Sequence, residues 1–182
     1  MVKKFIFLDF DGVITTVRSN WKFDLEKVMM IQGLCDKTDA RVVVSSSWRR
    51  GNVKDMIETC IEEWTEGVGD ISHGISDVPG WIMDIAGVTD RAYSRIKKDG
   101  GAYYMPRGLE IRWWLDNNVR SSGGQYSEGK YNEHEKDYRY VILDDDTDML
   151  LEQQSVFVRT DSLNGVSEDD IKKCISILNC DI

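Results

Sequence analysis

Residues 5–14, Phe-Ile-Phe-Leu-Asp-Phe-Asp-Gly-Val-Ile, constrain this chain more than any other stretch. Four apolar residues run directly into Asp9, with Asp11 two positions on and Gly12 after it. A continuous apolar run reads as a strand buried on both faces, as in a parallel sheet. Such a strand does not end in two carboxylates without compensation, because close like charges raise each other's pKa and resist desolvation. A cation is expected beside them. Gly12 allows a sharp turn or a close approach of the backbone to a ligand.

Apolar runs alternate with helical patterns along the rest of the chain, which makes α/β the expected fold class. A short polar connector, Thr15 to Phe23, precedes a helix expected from about Asp24 and weakened towards Gly33. A second strand, Ala40 to Val44, runs into Ser45-Ser46-Ser47-Trp48-Arg49. Asn52 caps the clearest helix, in which Val53, Met56, Ile57, Cys60, Ile61 and Trp64 recur at three- and four-residue spacing. Residues 65–79 read as Gly-rich and irregular, and Ile82 to Val88 as a third strand. A helix is expected from Arg107, with Trp113 and Trp114 as core and surface of it rather than a ligand platform. The Gly/Ser-rich stretch 119–137 reads as a surface loop. Tyr138 to Leu143 is a strand ending in Asp144-Asp145-Asp146-Thr147-Asp148, and Ser155 to Arg159 is a short fifth strand. Ser167 and Asp170 approximate a capping box for the last helix, to about Leu178.

Three apolar strands thus end in Asp9/Asp11, Ser45/Ser46 and Asp144/Asp145. In a parallel sheet the carboxyl ends of neighbouring strands share one edge, where ligands bind. The expectation is that these groups converge, although the acids lie more than 130 residues apart. Carboxylates from two strands suit Mg²⁺, which takes oxygen ligands and would remove the like-charge penalty. A serine at the second strand and Arg107 at a helix start would suit phosphate oxygens. The alternative for each is plain: aspartates are common at turns, serines in loops, and an arginine can simply solvate a helix end. Paired acids at two strand ends outweigh it.

These stretches carry a resemblance. Asp9-Phe10-Asp11-Gly12 after an apolar strand resembles the first motif of the haloacid dehalogenase-like (HAD) phosphatase superfamily, Val42-Val43-Val44-Ser45 its second, and residues 140–148 its fourth. Ser-Ser-Ser-Trp-Arg and Arg107-Gly-x-Glu-Ile most resemble small members related to phosphatase domains of nucleic-acid repair proteins. The resemblance covers Phe5 to about Leu178. It implies a Rossmann-like three-layer sandwich with a central parallel sheet and only small cap insertions, around 67–80, 90–106 and 119–137, in a single domain spanning 1–182. It implies that Asp9 attacks phosphorus and that Asp11 acts as general acid and then base. Mg²⁺ would be held by the Asp9 carboxylate, the Asp11 backbone carbonyl and Asp145, with Asp144 and Asp148 supporting and Asp144 the alternative ligand. Ser45 or Ser46 would bind phosphate. Arg107 departs from the lysine usual in the third motif, with Lys97 and Lys98 as fallbacks; an arginine grips phosphate bidentately.

Charge and spacing bear on the substrate. With 23 Lys+Arg against 32 Asp+Glu, the net charge of −9 disfavours long nucleic acid and favours a small phosphorylated molecule, such as a nucleoside or deoxynucleoside monophosphate. About 30 residues between the first two motifs leave no room for a large cap, so the site is expected to be open. That openness keeps a nucleic-acid end as the alternative, with Trp21, Trp48, Tyr103 and Tyr104 as candidate base-stacking residues. A receiver-like signalling domain is disfavoured because the acidic cluster comes late; a non-catalytic nucleotide-binding relative has no need of Asp9. The four scattered cysteines form no C-x-x-C pair, which speaks against zinc and a disulfide framework. With no signal peptide or span-length apolar run in view, the cytoplasm is the expected compartment. His73 and His134 receive no role.

Overall fold

The computed structural model describes residues 2–49, 52–69, 77–91, 93–94, 103–119 and 138–180. Among these, five parallel strands form one sheet in the order β3-β2-β1-β6-β7: β1 Lys3–Leu8, β2 Arg41–Val44, β3 Gly87–Val88, β6 Tyr138–Asp144 and β7 Phe157–Arg159. β4 (Tyr93–Ser94) and β5 (Tyr103–Tyr104) pair with each other, antiparallel. The helices are α1 Leu25–Thr38, α2 Val53–Val68, α3 Gly80–Met83, α4 Arg107–Asn118 and α5 Glu168–Asn179.

Strand periodicity decides the layering. Side chains alternate faces along a strand, and here the two faces build two cores. Ile6 and Leu8 of β1, Val42 and Val44 of β2, and Val141 and Leu143 of β6 pack with Val28, Ile31 and Leu34 of α1, Met56 and Cys60 of α2, and Cys174 and Leu178 of α5. Phe5 and Phe7, Val43 and Ile142 face the other way, onto Ile111, Trp114 and Leu115 of α4. Trp114 meets Phe5 and Phe7 edge-on, with ring centroids 5.3 and 5.5 Å away. The result is an α/β sandwich of helix, parallel sheet and helix. Trp113, 62% exposed, takes the outer side of α4.

β1 is the strand at which the order reverses: β2 lies on one side of it and β6 on the other. A crevice opens beyond the carboxyl end of the strand at such a switch point. The residues after Leu8, Val44 and Leu143 therefore meet there.

Several boundaries differ from expectation. Residues 82–88 are not one strand; α3 occupies Gly80–Met83, and β3 keeps only Gly87–Val88. One helical turn lets Trp81 and Ile82 both face the core, with the Trp81 indole donating to the Val28 carbonyl at 3.2 Å. An extended chain would have turned one of them to solvent. α1 runs through Gly33 to Thr38, because Ile31 and Leu34 are buried on the same face and Asp39 closes the helix in a left-handed conformation. α2 likewise continues past Thr65 to Val68, ended by Gly69. Residues 151–156 form a 3₁₀ turn, so β7 starts at Phe157. The caps agree: Asn52 with Asp55, and Ser167 with Asp170, are reciprocal capping boxes. No helix among the described residues is long and apolar enough to cross a membrane.

Candidate active site

Ladder bonds that run past the strand ends set the geometry. Asp9 N–H donates to the Leu143 carbonyl at 3.0 Å, Ser45 N–H to Leu8 at 2.9 Å, and Thr160 N–H to Asp144 at 3.1 Å. Asp9 is thereby pinned between the ends of β2 and β6. Carboxylate oxygens of Asp9, Asp144 and Asp145 come within 4.8 Å of one another, the first two acids buried and the third half-buried. Asp145 closes over the first turn. Gly12 has φ +74°, and a Cβ there would land on the Asp145 side chain, so both the turn and the close approach require glycine.

Arg107 is the cation expected beside these acids. It opens α4, with its N–H on Asp148 Oδ2 at 2.7 Å, and its guanidinium lies 3.7 Å from Asp144 and 4.0 Å from Asp9 while donating to the Ser45 carbonyl. Three carboxylates, two buried and one half-buried, gather about this guanidinium, with Arg159 acting on Asp145 alone. Burial raises the pKa of Asp9 from 3.8 to about 6, against the pull of Arg107 and a hydrogen bond from the Ser46 side chain. Burial, then the neighbouring Asp9, raises Asp144 to about 8. Asp145 is also raised, chiefly by burial. Asp9 Oδ1 is buried with no hydrogen-bond partner. An orphaned carboxylate oxygen beside two further carboxylates, all hard oxygen donors, fits a divalent cation such as Mg²⁺.

The Asp11 side chain is not part of that cluster. It faces the loop after β2, where Trp48 Nε1 and the Thr15 hydroxyl donate to Oδ1 at 2.8 and 2.9 Å and the Ser47 hydroxyl to Oδ2 at 3.0 Å. The two serines also separate. Ser46 bonds to Asp9 and accepts from Trp48 N–H at 3.2 Å, whereas the Ser45 hydroxyl accepts from Thr89 at 3.3 Å. Trp48 is no free stacking platform: it packs on Phe10 and Phe23 with centroids 5.9 and 6.2 Å away. Trp21 remains exposed at 48%. Lys97, Lys98, His73, His134 and the side chains of Tyr103 and Tyr104 lie outside the described residues.

Sequence reasoning passed over one part of the site. Arg49 donates to Thr89 and, at 2.8 Å, to Glu110; both side chains of this ion pair are buried, at 7% and 6% exposure. Glu110 stands one turn beyond Arg107 on α4, so the pair ties that helix to the β2 loop. Only the occurrence of Arg49 and Glu110 inside short charged motifs hinted at it.

The profile of one family, described as "HAD domain in Swiss Army Knife RNA repair proteins", matches residues 5–171. The chain belongs to this family. The five-stranded parallel sheet flanked by helices is consistent with a HAD domain, the buried acid cluster is compatible with one, and membership makes a HAD-type phosphatase the general functional class. No curated protein and no solved structure matches the chain.

Proposed function

We propose that this HAD domain is a Mg²⁺-dependent phosphomonoesterase working through an aspartyl-phosphate. The observation that carries the reading is Asp9, a buried carboxylate with an unpartnered oxygen, set against Asp144, Asp145 and Arg107. Asp9, Asp144 and Asp145, with the Asp11 carbonyl, would hold the Mg²⁺, which supplies the positive charge an anionic nucleophile needs near a phosphate dianion. A carboxylate oxygen of Asp9 forms the bond to phosphorus as the ester oxygen leaves. Asp11 gives that oxygen a proton, then takes one from the water that hydrolyses the acyl phosphate and frees Asp9. Arg107 and the serine hydroxyl facing Asp9, Ser46, bind phosphate oxygens, with Ser45 behind it.

The substrate is a phosphorylated nucleotide. A net charge of −9 favours a nucleoside or deoxynucleoside monophosphate. The family's description, which names RNA repair, moves the weight to the second reading, the terminal phosphate of an RNA strand. All four cysteines are unpaired, which suits a reducing cytoplasm.

The test is phosphate release by wild type and Asp9→Asn, with Mg²⁺ or EDTA, from a mononucleotide and from RNA and DNA oligonucleotides phosphorylated at either end. Release that disappears in Asp9→Asn and in EDTA is expected, fastest from an RNA end. Equal release by wild type and variant would sink the aspartyl-phosphate route, and preference for the mononucleotide would restore the first substrate reading.

A further inference from the structure

The three donors on Asp11 are unevenly shared. A carboxylate oxygen has two lone-pair directions, and on Oδ1 both are taken, by the Trp48 indole and the Thr15 hydroxyl. The Thr15 hydroxyl also lies 3.0 Å from the Phe10 carbonyl, but that oxygen already accepts the backbone N–H groups of Val13, Ile14 and Thr15, so its proton is directed to Asp11. Oδ2 has Ser47 alone, an exposed hydroxyl able to turn from donor to acceptor. The indole N–H has no such freedom, being a donor only.

Trp48 is also the best held of the three. Its ring stacks on Phe23, with 26° between planes, and meets Phe10 edge-on, while Phe10 and Phe23 themselves touch at 5.5 Å and are buried. Phe10 belongs to the first turn, Phe23 ends the connector, and Thr15 at its start bridges to Phe23. Three segments therefore converge to hold one N–H against one carboxylate oxygen.

We infer that Trp48 is a positioning residue for Asp11: with Thr15 it occupies Oδ1 and so presents Oδ2 to the leaving oxygen. The inference rests on the phosphatase reading above. It predicts an effect confined to steps in which Asp11 hands over a proton. Departure of an alcohol needs that proton; departure of nitrophenolate does not. kcat/KM isolates this difference, because it reports events only up to the first irreversible departure.

The experiment compares kcat/KM for the best nucleotide ester of the panel with that for p-nitrophenyl phosphate. Trp48→Phe keeps an aromatic ring, smaller than the indole, against Phe10 and Phe23 and deletes the N–H. It should lower the nucleotide-to-nitrophenyl ratio about tenfold, within the range a general acid contributes. Thr15→Val should shift the ratio in the same direction. A ratio unchanged in both variants, even with both rates reduced, would assign Trp48 to packing and overturn the inference. Wild-type protein that released phosphate from neither ester would overturn the phosphatase reading itself.

Discussion

Asp9 and Asp11 leave the same strand two residues apart and meet opposite surroundings. Asp9 is buried, lacks a partner for one oxygen, and shares a single arginine with Asp144. Asp11 is half-buried and accepts three hydrogen bonds. The difference extends to whole halves of the site. The β1–β6 half holds more negative charge than its protein partners neutralise. The β2 half is bonded mostly within itself, Arg49 Nε being its one buried side-chain polar atom without a partner among the described residues: Ser45 accepts from Arg107 and Thr89, Ser46 faces Asp9, Ser47 and Trp48 hold Asp11, and Arg49 joins Thr89 to Glu110. One half is built for charge yet to arrive, and the other is preorganised before it does.

The largest expected effect tests the preorganised half. Arg49→Met breaks a buried ion pair from one side, a loss of about 3–5 kcal/mol in stability. The double variant Arg49→Met/Glu110→Leu should recover most of it, since it removes the buried carboxylate as well. Urea unfolding measures both. If the single variant costs under about 1 kcal/mol, α4 is not tied to the β2 loop through this pair, and the contrast between the halves fails.

Next in size is Arg107, where the halves meet. Arg107→Gln should lower kcat/KM about 10²–10³-fold, the scale seen when one preorganised group that stabilises charge is removed. Arg107→Lys should regain part of this by restoring charge without the bidentate fork. Activity in Arg107→Gln equal to wild type would detach the guanidinium from the chemistry.

The halves also differ in how far they could be read from residues alone. The acidic half was legible because each strand is an apolar run that ends abruptly in carboxylates, and a parallel sheet brings such ends together whatever their separation in sequence. Arg107 was legible as a cation at a helix start. The β2 half was not, because its partners are set by packing. Arg49 and Glu110 lie 61 positions apart and meet only once α4 is seated through Ile111 and Trp114. Trp48 read as a candidate base-stacking residue because nothing local indicates that Phe10 and Phe23 will pack against it. The same limit explains α3: a short apolar run fits a buried strand or a helical turn equally well, and contacts with α1 decide between them.

The smallest effect concerns the acidic half without its counter-ion. Both Asp9, at about 6, and Asp144, at about 8, lie above 3.8 in the folded chain. A carboxyl whose pKa is raised by folding binds its proton more tightly folded than unfolded, so unfolding releases protons between the two values. The contribution of this pair is therefore complete below about pH 4 and is lost as pH rises through about 6 and then about 8. Asp144→Asn removes one of these charges, and its amide oxygen can still accept the Asp146 N–H, 2.9 Å from Oδ1 in the native chain. In EDTA at pH 8–9 the variant should be more stable than wild type by about 1–3 kcal/mol, a range reduced from the full pKa shift because the lost ion pair with Arg107 offsets part of the gain. Adding Mg²⁺ should reverse the order, because only the wild type keeps the full set of carboxylates, and activity should fall in the variant at every pH. Parallel stability–pH curves for the two proteins in EDTA would mean that the acidic half is already neutralised within the chain, and Asp9 and Asp11 would then differ in position but not in kind.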